Sequence, residues 1–293
     1  MNILTFDIED WFHILDNDAT RTEKEWSGFS SRIRANTGRI LDLLAQRGQK
    51  ATFFCLGWIA RNYPEIVRKI DEHGHEIGSH SSMHQLVYEQ SSKRFSTDLR
   101  DSIDLLEDTI GKKVVSYRAP GFSITERTPW AFEALVDAGI EKDSSVFPAP
   151  RGHGGFPAFG VAEPAIIECN GLRLKEFPIN IATVSGKSLI FSGGGYFRLL
   201  PYPVIRRMTA ASAYVMTYFH PRDFDPAQPV LPGLPLTRRF KSYVGLKRAW
   251  KKLGWLLNDF SFIDLRTADA RTDWDKARVL KHSTLTNTPI AAP

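Results

Sequence analysis

An α/β fold of parallel βαβ units, closed as a barrel or left open, follows from two observations on this 293-residue chain. Short apolar runs alternate with segments of helical periodicity, and polar residues recur just after those runs. Residues 2–6 form the first short apolar strand and lead into Asp7-Ile8-Glu9-Asp10-Trp11. Residues 33–46 repeat apolar side chains at helical spacing (Ile33, Ile40, Leu41, Leu44) and are closed by Gly48. A continuous apolar strand is expected over 51–56. Pro64 then opens a helix carrying Ile66, Val67 and Ile70, which Gly74 ends.

A strand from His75 follows, then a helix with Phe95, Leu99, Ile103, Leu106 and Ile110 on one stripe, and a strand over 114–117. Thr128-Pro129 starts another helix through Ala138, and a fifth strand begins at Ile140. The middle of the chain breaks this rhythm. Residues 147–160 are rich in proline and glycine and predict a long loop. Residues 165–181 read as an antiparallel hairpin turning at Asn170-Gly171. Gly193-Gly194-Gly195 lacks the Lys-Ser/Thr of a phosphate-binding loop, so a flexible loop is expected there. A strand over 213–219 ends at His220, and 262–265 reads as the last strand.

Residues 75–84 carry the chemistry. His80 and His84 stand four apart, a spacing that can place two imidazoles on one metal ion, although two such histidines also occur as ordinary surface or core residues. Further polar residues lie at other strand ends: Asp7, Glu9 and Asp10, then Arg118, Asp143 and His220. In a parallel α/β barrel the C-terminal strand ends converge on one face, where these side chains would meet.

These segments resemble the polysaccharide deacetylase family (NodB homology, carbohydrate esterase family 4) over about residues 2–222. His80-Ser81-Ser82-Met83-His84 and Tyr117-Arg118-Ala119-Pro120-Gly121 are the most specific motifs. Asp7-Ile8-Glu9-Asp10-Trp11-Phe12-His13, Glu176-Phe177-Pro178, the Gly193 stretch and Tyr218-Phe219-His220-Pro221 resemble a subgroup associated with exopolysaccharide gene clusters. The resemblance implies a distorted (β/α) barrel of about seven parallel strands, with a β-hairpin insertion and a C-terminal helix. It also implies a single domain over 1–272, extended from about 223.

The implied activity is metal-dependent removal of N-acetyl groups from an N-acetylated sugar of a bacterial surface polysaccharide or its precursor. The implied cofactor is a divalent metal, zinc first, with cobalt, nickel or manganese as alternatives. His80, His84 and one carboxylate would hold it, leaving an open position where bound water ionises near neutral pH. Asp7 takes the base role and Arg118 would keep it ionised. The backbone N–H of Gly121 would help bind the oxyanion, where many relatives carry tyrosine. His220 would protonate the departing amine, held or tuned by Asp143, which could otherwise cap the loop at Ser144 and Ser145.

The acids are spaced Asp7-x-Glu9-Asp10, not adjacent as in the family's common form. In a strand, positions 7 and 9 point the same way, which puts Glu9 ahead of Asp10 as metal ligand. Two other readings stay open: an allantoinase-like hydrolase of another non-peptide C–N bond, and a glycan-binding protein without catalysis.

A formal charge of +5 permits an anionic partner and demands none, and no nucleic-acid partner is expected. Cys55 and Cys169 cannot form a disulfide framework. With neither a leader-like start nor a run of 18 apolar residues, the chain reads as cytoplasmic. Residues 238–260 carry apolar side chains at spacings of three and four, with basic residues elsewhere. They read as one helix covering the barrel, or alternatively as a peripheral membrane contact. The polar stretch 273–293 is expected to be poorly ordered.

Overall fold

The computed structural model describes all residues except 16, 152–153, 170, 185–186 and 287–293. In chain order the strands and helices begin with β1 (Asn2–Ile3), β2 (Thr5–Ile8), α1 (Glu23–Trp26), α2 (Ile33–Gln46), β3 (Thr52–Cys55) and α3 (Gly57–Asn62). Then come α4 (Pro64–Glu72), β4 (Glu76–Ser79), α5 (Ser92–Ile110), β5 (Ser116–Tyr117), α6 (Trp130–Asp137) and β6 (Lys142–Asp143). β7 (Ala165–Cys169) and β8 (Leu172–Glu176) form the expected hairpin, and β9 (Ala182–Val184) pairs with β10 (Lys187–Leu189). The chain closes with α7 (Gly194–Leu199), α8 (Tyr202–Ala211), β11 (Val215–Met216), α9 (Leu236–Tyr243), α10 (Leu246–Asp259), α11 (Leu265–Arg271), β12 (Arg278–Lys281) and α12 (His282–Thr286).

These elements fall into two compact units. One comprises Met1–Phe53, Tyr63–Glu76 and Ala182–Ala268; the other comprises Phe54–Asn62, Ile77–Ile181 and the chain from Asp269.

In the first unit β1 pairs in parallel with β11, Asn2 opposite Val215, and single bridges join Ile3 to Ile263 and Phe6 to Phe219. On the other side the Thr52 amide donates to the Leu4 carbonyl at 3.0 Å and the Glu76 amide to Ala51 at 3.1 Å. An aromatic core fixes this register: Phe6 stacks on Phe53 at 5.2 Å, and Phe219 meets Phe197 at 4.8 Å. The apolar stripe of α2 buries Ile33, Ile40, Leu41 and Leu44. Burying a side chain of that size stabilises by roughly 2 kcal/mol.

In the second unit β4, β5, β6 and β8 run parallel in that order, with Ser79 opposite Tyr117, Tyr117 opposite Asp143, and Asp143 opposite Glu176. β8 turns back to β7, and β12 pairs in parallel with β7. α5 starts at Ser91, whose hydroxyl accepts from the Arg94 amide, and stops at Gly111 in the left-handed conformation. It buries Phe95, Leu99, Ile103 and Leu106. Gly78 lies where a Cβ would meet the Phe54 ring at 2.6 Å, so only glycine lets β4 approach that ring.

Several expectations need correction. The Gly193 stretch is not a loop but the start of α7. Gly193 caps the helix in extended backbone, and the Tyr218 ring occupies the space of a Gly193 Cβ, at 2.2 Å. Residues 238–260 are two helices, not one, because Val244 is extended and Gly245 adopts φ +74°. The expected strand over 262–265 is a single bridge at Ile263, and Leu265 already begins α11. The stretch from 273 is ordered as far as α12. Arg278 to Lys281 find a partner strand in β7, and Trp274 packs edge-on against Phe177 at 5.3 Å. At the hairpin tip, Asn170 lies outside the described residues, while Gly171 has φ +79°.

Candidate active site

In the first unit β2 delivers the acids. Pairing beside Phe219 makes the Asp7 amide donate to the Phe219 carbonyl at 2.7 Å, which sets His220 against the end of β2. Asp7 and Glu9 are both buried, and as β2 ends at Ile8 the Glu9 amide folds back to donate to the Asp7 carbonyl at 3.1 Å. His220 Nε2 lies 3.1 Å from Glu9 Oε1 and 3.8 Å from Asp7 Oδ2. Asp7, Glu9 and His220 each offer a ligand atom within 4.8 Å of the other two, so this cluster could hold a cation.

The other imidazole nitrogen, Nδ1, contacts Asp223 Oδ2 at 3.0 Å, and the same carboxylate accepts from the His220 amide at 2.9 Å. Asp223 is held in turn by the buried Arg198, whose Nε is 3.0 Å from Oδ1. Burial alone would raise the Asp223 carboxyl, but the Arg198 and His220 charges outweigh it and lower the pKa to about 2. For His220 burial works to lower the pKa; the Glu9 and Asp223 carboxylates reverse this and raise it to about 10.

Asp10 does other work. Its carboxylate accepts from the Trp11 amide at 2.8 Å, the Ser31 hydroxyl at 2.5 Å and the Arg32 amide at 3.0 Å, tying down the entry to α2.

The second unit presents the histidine motif. The His80 amide donates to Cys55 O at 2.9 Å, which anchors it at the end of β3. Its Nδ1 lies 2.8 Å from the Arg118 carbonyl; a carbonyl only accepts, so Nδ1 carries a proton and Nε2 is the ring's candidate metal ligand. His84 sits at φ +53° and Ser81 at φ +69°, a turn closed by the His84 amide on Ser81 Oγ at 3.0 Å. Such backbone is costly for non-glycine residues and persists where surroundings enforce it. Asp98 does the enforcing: its carboxylate accepts from the Ser82 amide at 2.9 Å and the Met83 amide at 3.1 Å. The two imidazole rings stand 5.4 Å apart.

Arg118 is fully buried, its Nε donating to Ser144 O at 3.2 Å and its guanidinium lying 4.3 Å over the Phe54 ring. Gly121 turns at φ +61° between Pro120 and Phe122. Phe122, which follows the position where relatives carry tyrosine, is buried against Phe147 at 5.4 Å.

Asp143 is fully buried beside Glu176 and accepts from Ser145 Oγ at 2.5 Å, while Glu176 accepts from the Val146 amide at 3.1 Å. Burial raises both carboxyls, Glu176 the more because Asp143 adds its charge, so the pair keeps a proton. The role of holding His220, expected of Asp143, therefore falls to Asp223. The sequence signal was the spacing: an acid three residues after a strand-ending histidine can close a capping box onto it. Asp98 carried no comparable signal, since it lies 14 residues beyond His84 on a helix.

Comparison with known proteins places this arrangement. Residues 3–141 match the model of polysaccharide deacetylases, and residues 144–270 match a domain of unknown function (DUF3473). A peptidoglycan-N-acetylglucosamine deacetylase of Bacillus cereus is 30% identical over 105 residues, 36% of this chain and 47% of that protein. The peptidoglycan-N-acetylmuramic acid deacetylase PdaC of Bacillus subtilis is 35% identical over 86 residues, 29% of this chain and 18% of that protein. The chain thus spans less than half the length of these curated relatives.

A solved structure from Mycobacterium smegmatis, assigned to the polysaccharide deacetylases, superposes with a TM-score of 0.62 at 20% identity, covering 94% of this chain and 91% of that one. That likeness shows the fold, the distorted (β/α) barrel class expected from the motifs. Residues 3–141, just under half of the chain, thus match the polysaccharide deacetylase family.

Proposed function

We propose that this protein is a metal-dependent hydrolase that removes N-acetyl groups from an N-acetylated sugar of a bacterial surface polysaccharide or its precursor. The observation that carries this reading is the His80–His84 turn. Two imidazoles stand side by side, one held at Nδ1 by a backbone carbonyl, in a chain that matches the polysaccharide deacetylase family over residues 3–141. That donor set suits a borderline cation such as zinc. His80 and His84 would be its nitrogen ligands and Glu9 its carboxylate. Asp10 is the weaker candidate because its oxygens are already engaged with Trp11, Ser31 and Arg32. When bound, the ion would supply Lewis acidity at the acetyl carbonyl and acidify water.

The chain's own groups would do the rest. Asp7, at the end of β2, would take a proton from the attacking water, with Arg118 as its partner guanidinium. The Gly121 amide donates to the oxygen that becomes negative. His220, protonated through its contacts with Glu9 and Asp223, gives a proton to the nitrogen as the C–N bond breaks, leaving acetate and a free amine. Asp223 and Arg198 act through His220 as positioning residues.

Acetate release from acetylated chitooligosaccharides and peptidoglycan fragments, measured beside ureides and formamides, tests the assignment. Turnover of the acetamido sugars that Asp7→Asn abolishes supports it. Turnover confined to ureides or formamides moves the protein to another C–N hydrolase. Glycan affinity without turnover, indifferent to Asp7→Asn, makes it a binding protein.

A further inference from the structure

The chain's positive charge is distributed unevenly. Residues 226–258 contain seven lysines and arginines and not one aspartate or glutamate. The same stretch holds α9, which turns its apolar side chains outward: Leu236 is 82% exposed and Phe240, one turn on, 59% exposed. The sole buried residue of α9 is Ser242.

This is not a frayed end. Arg198, buried in the same unit, donates to the carbonyls of Lys241 at 3.0 Å, Ser242 at 2.8 Å and Val244 at 3.0 Å. These bonds satisfy the C-terminal carbonyls of α9 and fix the helix in place. Against it packs α7, which exposes Leu199 by 53%. A preformed helix with two apolar side chains outward, rimmed by Arg239, Lys241 and Lys247 and free of acids, has the makeup of an interfacial element.

We propose that α9 and the neighbouring turn of α7 dock on an anionic lipid bilayer. Leu236, Phe240 and Leu199 enter the headgroup boundary, and Arg239, Lys241 and Lys247 lie against lipid phosphates. The absence of acids across 226–258 selects an anionic surface, and the outward apolar pair selects a lipid one over a soluble polyanion.

Vesicle flotation of the full chain tests this, using phosphatidylcholine vesicles with and without phosphatidylglycerol at low and high salt. The protein should float with phosphatidylglycerol vesicles at low salt and less so at high salt. Leu236→Glu/Phe240→Glu should weaken partitioning at least ~10-fold. Arg239→Glu/Lys241→Glu/Lys247→Glu should weaken it by on the order of 100-fold, from about fivefold per lost charge. All these positions face solvent, so the circular dichroism melts of both variants should match the parent's. Three results would overturn the proposal. One is no flotation with anionic vesicles, and another is equal flotation of the parent and both variants. The third is light scattering that shows a dimer which Leu236→Glu/Phe240→Glu converts to monomer, making the patch a contact between two copies.

Discussion

Asp223 and Asp143 are both buried, yet their pKa values move in opposite directions. Asp223 has the Arg198 guanidinium and the His220 imidazole at 3.0 Å, and its pKa drops to about 2. Asp143 has another carboxyl, Glu176, as its strand neighbour, and burial, which the Arg118 charge offsets only in part at Glu176, pushes the pair upward. The nature of the neighbour, not the depth, decides whether a buried acid is ionised. The first arrangement can orient an imidazole for proton transfer; the second shares a proton in a link between β6 and β8.

Substitutions on the two sides sharpen that contrast. The largest effect is expected for Asp223→Asn, which removes the carboxylate charge that pairs with the buried Arg198 and with His220 Nδ1. Urea unfolding should show a loss of about 3 kcal/mol, and deacetylation should slow by on the order of 100-fold. The acid limb changes too. A carboxyl depressed from 3.8 to about 2 contributes stability that is present above pH 4 and lost as pH falls toward 2, about 2 kcal/mol in all. In the variant that loss should vanish from pH-dependent melts.

His75 supplies the same lesson with an imidazole on which burial and positive neighbours outweigh Asp264. Burial, with Lys50 and His73 adding positive charge, lowers it to about 4. A base depressed in the folded state stabilises above its ordinary value of 6.5, and this is lost as pH falls from 6.5 toward 4, about 3 kcal/mol in total. Calorimetric melts of His75→Gln should be flatter across that window. A smaller loss, about 2 kcal/mol, is expected for Gly245→Ala. Its φ of +74° disfavours a side chain, and a Cβ would sit 2.2 Å from the Arg198 carbonyl, disturbing the residue that holds Asp223. The smallest effect belongs to the proton-sharing pair: Glu176→Gln retains a donor and should cost less than ~1 kcal/mol. A loss several times larger would mean that Glu176 is ionised.

Most of the scaffold was legible because its signals are local. The stripes of α2 and α5, the proline at the start of α4 and the glycines after α2 and α4 fix those elements within a few residues. The histidine motif was legible through its spacing and the acids through the strand they end. What escaped depends on tertiary partners. Gly193 reads as a breaker until the Tyr218 ring is seen to fill the space of its missing Cβ. The seam between α9 and α10 is one glycine within an otherwise continuous helical pattern. β12 is a short, largely exposed strand whose order comes from β7, more than a hundred residues earlier. Asp98 supports the histidine turn from a helix whose own pattern explains it fully without that role.

Metal content measured together with turnover tests the central claim most directly. The metal-loaded protein and His80→Ala would be compared for bound zinc by mass spectrometry and for acetate release from an N-acetylated oligosaccharide. The account predicts about one ion per chain in the parent, loss of both ion and turnover in His80→Ala, and a melting curve for the apo variant that matches the apo parent. Undiminished acetate release by the metal-free protein or by His80→Ala would contradict it.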